Sequence, residues 1–496
     1  MRNFVLICCL AFLVYGGVSV HAQTFDATEI TKLRNFLLQE SAEPGVRNYQ
    51  KLGLASMDGV SWSSVPGLYW NSRTYLLEQI VWPNKGLSGH LDCSDFVGLK
   101  HIYCASNDLK SVNVTNSPSL ITLDLYTNDL MSIDVTTNPL INYLRLGYNH
   151  ISVVDISNNP DLGFFCCTDN RVEFLDFSGK EKLYSITCLD NNLHTLIVDN
   201  CIKLETLSCT FNQLRSLRLK NLPTLKNLSC SHNLLTDLQF ENCGSLDSLS
   251  CANNYLSTLD VTSCDNLRFL DCSDNQLASL YIEGCTQMTR LLCNDNMLET
   301  LDVESLPLLM HLYCHRNKLT PLTLPIPSKY NFTTYSYNPQ QYIALKCDYN
   351  NVDFSDYYKV DDVISRFSCY VNTNNYVLPL ENREGVLVFD EKYVGEIFII
   401  RVMNEALPRL VMHFDVEMTR DGVNNVNPTG NQASIYASEG LVHVIAPSPF
   451  DLKIYSINGM LRLKKNIGEG RTDIPLERGV YVIVADDKPY SKLIVR

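Results

Sequence analysis

Beyond residue 22 this 496-residue chain has no apolar run approaching the ~18 to 20 residues that a membrane-spanning helix needs. An integral helical membrane protein is therefore not expected. Cations are scarce too: 40 lysines and arginines stand against 54 aspartates and glutamates, a net charge of −14, and no Lys/Arg stripe stands out. A nucleic-acid binder needs a basic face, and none is present. Tryptophan occurs only three times, at Trp62, Trp70 and Trp82. The usual signatures of catalysis are missing: there is no H-E-x-x-H, no G-x-S-x-G and no glycine-rich phosphate loop. Nor is there a C-x-x-C pair to hold zinc. Catalytic residues, metal ligands and cofactors are accordingly not expected.

The first residues do carry a signal. Arg2, an apolar run from Phe4 to Val14 and the ending Val20-His21-Ala22 have the form of an export leader, residues 1–22, cleaved before Gln23. A lipoprotein leader would need a cysteine after the apolar run, whereas Cys8 and Cys9 lie inside it. Export is expected.

What dominates the chain is a period of 21 residues. Asn107, Asn128, Asn149, Asn170, Asn191, Asn212, Asn233, Asn254, Asn275, Asn296 and Asn317 follow one another at that spacing without an insertion. Around each stands one apolar frame: at Asn275, Leu267, Leu270 and Cys272 precede it and Leu277, Leu280 and Ile282 follow. One turn of such a coil cannot bury its own apolar edge and is stable only between neighbours. The asparagine sits where the chain leaves a strand, and its amide can both donate to and accept from backbone groups otherwise buried unpaired.

Seventeen cysteines remain after the leader. Eight of them, from Cys167 through Cys188, Cys209, Cys230, Cys251, Cys272 and Cys293 to Cys314, share one frame position. Side chains stacked in register on strands ~4.8 Å apart point the same way, poor geometry for a disulfide. They read as small buried hydrophobes. A second short column, Cys243, Cys264 and Cys285, falls on the convex side, and Cys347 with Cys369 form a candidate pair.

The frame L-x-x-L-x-C-x-x-N-x-L-x-x-L-x-I resembles the leucine-rich repeat, and its short period and cysteine ladder resemble bacterial internalin-like repeats. That resemblance implies an α/β-type solenoid, mostly β and irregular, with a parallel sheet on the concave face. Residues 80–327 are assigned to about eleven copies plus partial turns. Residues 23–79 form an N-terminal cap, with a helix over residues 26–40 started by Asp26 or Thr28 and the three tryptophans as cap core. Residues 328–343 close the coil, Tyr335, Tyr337 and Asn338 falling on the next frame positions.

Two small β-sandwiches are expected beyond. Alternating runs at 367–371, 385–389, 396–402 and 410–417 place one over residues 344–419, and its order after the repeats resembles the immunoglobulin-like module of internalin-like proteins. Residues 420–433 read as a linker. Residues 434–496 contain Leu452-Lys453-Ile454-Tyr455, then Asn458-Gly459, then Gly479-Val480-Tyr481-Val482-Ile483 and Lys492-Leu493-Ile494-Val495. That order resembles the C-terminal sorting domain of type IX secretion substrates, with Gly479, Tyr481, Lys492, Ile494 and Val495 as its signal. The resemblance implies a Gram-negative origin, the type IX machinery as a partner, and delivery to the outer-membrane surface or the extracellular medium. An ordinary third domain is the other reading.

Alternation along each repeat strand identifies the outward side chains. At the front these include His101, Tyr103, Tyr126, Tyr143, Arg145, Tyr148 and Phe164; in the middle, small residues such as Ser185, Thr187, Ser208 and Ser229; at the back, Phe269, Arg290, His311, Tyr313, His315 and Arg316. His311 and His315 would lie ~13 Å apart along a strand, too far to share a metal. Tyrosine and arginine carry much of the binding energy at protein interfaces, and exposed aromatics also stack on sugars. The expected function is non-enzymatic recognition of a protein or glycan ligand at the cell surface, with a purely structural surface component as the remaining class.

Overall fold

The computed structural model describes residues 25–341 continuously and, beyond them, the strands and short connections lying between 343 and 495. The leader and the linker at 420–433 lie outside the described residues. The chain forms two compact units: one runs through Asn317 and includes Tyr330–Tyr337, and the other comprises Lys318–Lys329 and the chain from Asn338 onward.

The first unit is built on a 14-stranded sheet. Its strands pair in parallel at the period of the sequence, Ser185 opposite Thr206, Thr206 opposite Asn227 and Asn227 opposite Ser248. At each strand exit the residue before the ladder asparagine, from Ser106 to Arg316, is left-handed, with φ between 51 and 57°. That conformation is unusual for residues other than glycine. Hydrogen bonds on both sides hold it. Asn254 Oδ1 accepts the Leu235 amide at 3.0 Å, and its Nδ2 donates to the carbonyls of Cys230 at 3.1 Å, Cys251 at 3.0 Å and Ala252 at 3.3 Å. The same bonding occurs at both ends of the ladder, at Asn107 and at Asn317.

The ladder cysteines are buried free thiols, as expected, and Cys104 joins them at the same frame position beyond Leu125 and Leu146. Burial pushes the thiols of Cys209 and Cys293 up to about 12 and that of Cys272 well above its usual range. They are inert at neutral pH. The convex column is longer than its three cysteines and was not legible as one feature. Ser117, Asn138, Asn159, Lys180 and Cys201 occupy the same position in successive turns. Each donates to a carbonyl 24 residues earlier: Cys93 at 2.7 Å, Val114 at 2.8 Å, Val135 at 3.0 Å, Ile156 at 2.8 Å and Phe177 at 3.1 Å. Four kinds of hydrogen-bonding group thus serve one purpose, and burial lowers the pKa of the Lys180 amine.

At the front a helix over Ala27–Leu37 is capped by Asp26, whose Oδ1 accepts the amides of Thr28 and Glu29. Leu33, Phe36 and Leu37 are its buried apolar residues. Trp82 is fully buried, its ring 5.8 Å from that of Phe36, and its Nε1 donates to Pro66 O at 2.7 Å. Gly67, at φ +79°, permits this approach, since a Cβ there would lie 2.6 Å from the indole. Trp70 Nε1 donates to Trp62 O at 3.0 Å. Trp62 and Trp82 are buried, as expected of cap core, whereas Trp70 is half-buried with its ring 4.6 Å from that of Phe25. The antiparallel strand Leu68–Trp70 closes the front edge of the sheet.

The cap also buries a carboxyl. Glu29 is 2% exposed, its Oε2 accepts the Leu77 amide at 3.0 Å, and its Oε1 has no partner. Burial raises its pKa to about 7, the Leu77 bond opposes this, and Asp26 adds to it. A raised carboxyl pKa stabilises the fold while the group is protonated; the contribution is complete below the unfolded value of ~4.3 and is lost as pH climbs to about 7. We expect Glu29→Gln, which keeps an acceptor for Leu77, to gain roughly 2–3 kcal/mol over the native chain between pH 5 and pH 8 in denaturant melts. Parallel pH profiles for the two proteins would contradict this.

The rear closing turn differs from the expected one. His311 pairs with Thr334, Leu312 with Tyr335 and Tyr313 with Ser336, a step of 23 residues. Asn338 is thereby displaced from the ladder position. The side chain accepting the Leu319 amide, the part played by the next asparagine in earlier turns, is Gln340 Oε1, at 3.3 Å.

The second unit is β-rich. A five-stranded sheet runs Ile343–Asp348, Met412–Thr419, Ile397–Met403, Arg366–Val371, Asn375–Val377, antiparallel except for its first pair. A three-stranded sheet joins Asn351–Asp353, Val386–Val388 and Glu381–Arg383. Phe354, Phe389, Phe398 and Phe414 are buried. The candidate bridge between Cys347 and Cys369 is not made: Cys369 is a buried free thiol. Their strands are three places apart in the sheet, ~14 Å, where a disulfide needs Cα atoms within ~7 Å. Farther on, Gly479–Ala485 pairs antiparallel with Lys488–Val495, setting Gly479 opposite Val495, Val480 opposite Ile494, Tyr481 opposite Leu493 and Val482 opposite Lys492.

Candidate ligand-binding face

The outward side chains of the 14-stranded sheet fall into three zones. In the front zone, Tyr143 and Phe164 are register partners on neighbouring strands. Their rings stack at 4.5 Å and 8°. Tyr126, just past the strand Thr122–Asp124, carries the Arg145 guanidinium 3.7 Å over its ring centre, and Tyr148 meets it edge-on at 5.0 Å. Arg145 also reaches Asp124 Oδ2 at 3.4 Å. Gly147 makes room for this, because a Cβ there would come within 2.8 Å of the Tyr126 ring. Burial foremost raises the pKa values of Tyr126 and Tyr143, so both phenols remain donors at neutral pH.

Six predicted residues, Tyr103 included, were grouped here. The structure brings five together; Tyr103 instead lies against His101, ring centres 6.1 Å apart. Tyr184 joins unpredicted, 6.4 Å from Phe164 and 46% exposed. It precedes its strand by one residue and so escaped the alternation rule. Cys166 was missed as well, although it holds the same frame position as Arg145 one turn on; it is buried among these side chains.

The middle zone carries Ser185 and Thr187, Thr206 and Ser208, Asn227 and Ser229, and Ser248 and Ser250 on four successive strands. These side chains make no hydrogen bond to any other described residue. The rear zone sets Arg290 between two rings, 5.7 Å from the centre of Phe269 and 5.9 Å from that of Tyr313. Arg316 does not join it: it occupies a left-handed turn and pairs with Asp295 at 3.2 Å. His311 meets Thr334 at 3.2 Å and His315 meets Ser336 at 3.0 Å, so the two histidines have separate partners. Among the described residues no cluster of histidine, cysteine or acidic side chains could hold a metal, and no helix is long and apolar enough to cross a membrane.

Parallel strands, a left-handed exit at each asparagine and an apolar frame closing on itself every 21 residues define the architecture. It is a leucine-rich repeat solenoid. No family model matches the chain, and no curated protein matches it. Similar solved structures include the functional domain of InlJ from Listeria monocytogenes, which includes a cysteine ladder. It is 19% identical, with 69% of this chain and 90% of that one covered at a TM-score of 0.42. The APL1 leucine-rich repeat domain is 17% identical, covering 62% and 83% at 0.41. YopM from Yersinia enterocolitica is 23% identical, covering 54% and 64% at 0.37.

Proposed function

We propose that this chain is an exported, non-enzymatic recognition protein whose repeats bind a protein ligand through the concave face. The observation that carries this reading is the packed front cluster, where tyrosine, arginine and phenylalanine gather on a sheet face that no core requires to be aromatic. The same geometry favours protein over glycan. Tyr143 and Phe164 spend a ring face on each other and Tyr126 spends one on Arg145, whereas sugars stack on open faces. Ring edges and phenol hydroxyls remain, which suit a packed protein contact. A glycan array run beside capture of partners from surface extracts separates the two: binding to glycans, with no protein captured through Tyr126 and Tyr143, would overturn the protein reading.

Delivery is assigned to the leader and to residues 434–496 as a sorting domain, with Gly479, Tyr481, Lys492, Ile494 and Val495 as its signal. The central position of Gly479–Ala485 beside the closing strand is what a signal read as folded structure would use. Deleting residues 479–496 should strand the protein in the periplasm of a host that has the type IX system. Unchanged surface delivery would reduce the segment to an ordinary domain.

A further inference from the structure

Several cations beside the sheet strands are answered by acids. Lys100 pairs with Glu78 at 2.7 Å, Arg145 with Asp124 at 3.4 Å, Lys226 with Glu205 at 2.9 Å, Arg268 with Asp247 at 2.9 Å and Arg316 with Asp295 at 3.2 Å. Arg290 is exposed and has no acid within 4.0 Å among the described residues. Asp271, one turn away, is engaged by the amide of Ser273 at 3.1 Å and by its hydroxyl at 2.6 Å. In a chain of net charge −14 an unanswered arginine on the proposed binding face is conspicuous.

Its surroundings prepare it for an anion. Phe269 and Tyr313 flank the guanidinium, restricting it and leaving its in-plane N–H groups as a fork that matches a carboxylate. Leu292, outward on the same strand, lowers the local polarity, and His311 is the register partner of Arg290. The front arginine offers the contrast, its charge being spent on Asp124 and its face on Tyr126.

We propose that the rear of the concave face is a carboxylate-reading subsite, in which Arg290, held between Phe269 and Tyr313, takes an acidic side chain of the protein ligand. This rests on the protein-binding reading above. The subsite lies seven turns from Tyr143, ~34 Å along the sheet, so the ligand must be long enough to span the hydroxyl-lined middle or must present two separate contacts. The net negative charge of the chain disfavours acidic ligands in general, so acceptance of an acid there is local and selective.

A display library of random short peptides, selected separately on the full chain, on Arg290→Gln and on the Tyr126→Ala/Tyr143→Ala pair, tests it. Peptides enriched by the native chain should carry aspartate or glutamate. Their asparagine or glutamine counterparts should bind it about tenfold more weakly, as expected for a lost charged hydrogen bond, and that difference should vanish on Arg290→Gln. Peptides that depend on the tyrosine pair but show no acid preference, or keep it undiminished on Arg290→Gln, would overturn the subsite and leave the protein reading standing. Enrichment of no peptide by the native chain above either variant would overturn both.

Discussion

Asn254→Ala is expected to cost about 3 kcal/mol of solenoid stability, more than most single substitutions in this unit. The size follows from what the amide leaves behind. Leu235 N loses its acceptor and stays buried, at about 1–3 kcal/mol for an unsatisfied group. The carbonyls suffer less, because donors overlap along the ladder: Cys230 O keeps Asn233 at 3.1 Å, and Cys251 O keeps Asn275 at 3.0 Å. Each turn depends on its neighbours, so the loss should also weaken the flanking turns. Urea melts followed by circular dichroism measure it. An alanine that proved neutral would remove the asparagine ladder from the account.

Truncating Tyr126 and Tyr143 together should weaken ligand binding by about 2 kcal/mol or more, roughly thirtyfold. Two losses combine. Without Tyr126 the Arg145 guanidinium loses its platform and Tyr148 its edge contact; without Tyr143 one face of Phe164 is left bare. Stability should suffer much less, because neither ring faces the core and cross-strand aromatic pairs contribute only about 0.5–1.5 kcal/mol each. A variant that melts near the native protein yet fails to bind separates recognition from folding.

Much of this architecture could be read from residue spacing. Asn107 to Asn317 fixed the coil, the strand exits and the outward positions, because each turn must bury the same frame against the next. The convex donor column was hidden because serine, asparagine, lysine and cysteine meet the same need there, so residue identity does not repeat although the bond does. The closing turn was misplaced by two residues. Tyr335 and Tyr337 are apolar enough to satisfy either register, and Gln340 can substitute for an asparagine. The binding face was legible as a list and not as contacts. Alternation says that Arg145 and Arg290 both point outward; it does not say that Asp124 neutralises one while two rings and, among the described residues, no acid flank the other.

The most direct test of concave-face recognition is a single set of binding isotherms. A protein partner captured from surface extracts is titrated against the native chain, the Tyr126→Ala/Tyr143→Ala pair and a Ser208→Ala/Ser229→Ala pair from the middle zone. Binding lost with the tyrosines and retained with the serines is the result predicted here. A greater loss from the serine pair would place the site on the hydroxyl floor and contradict the account.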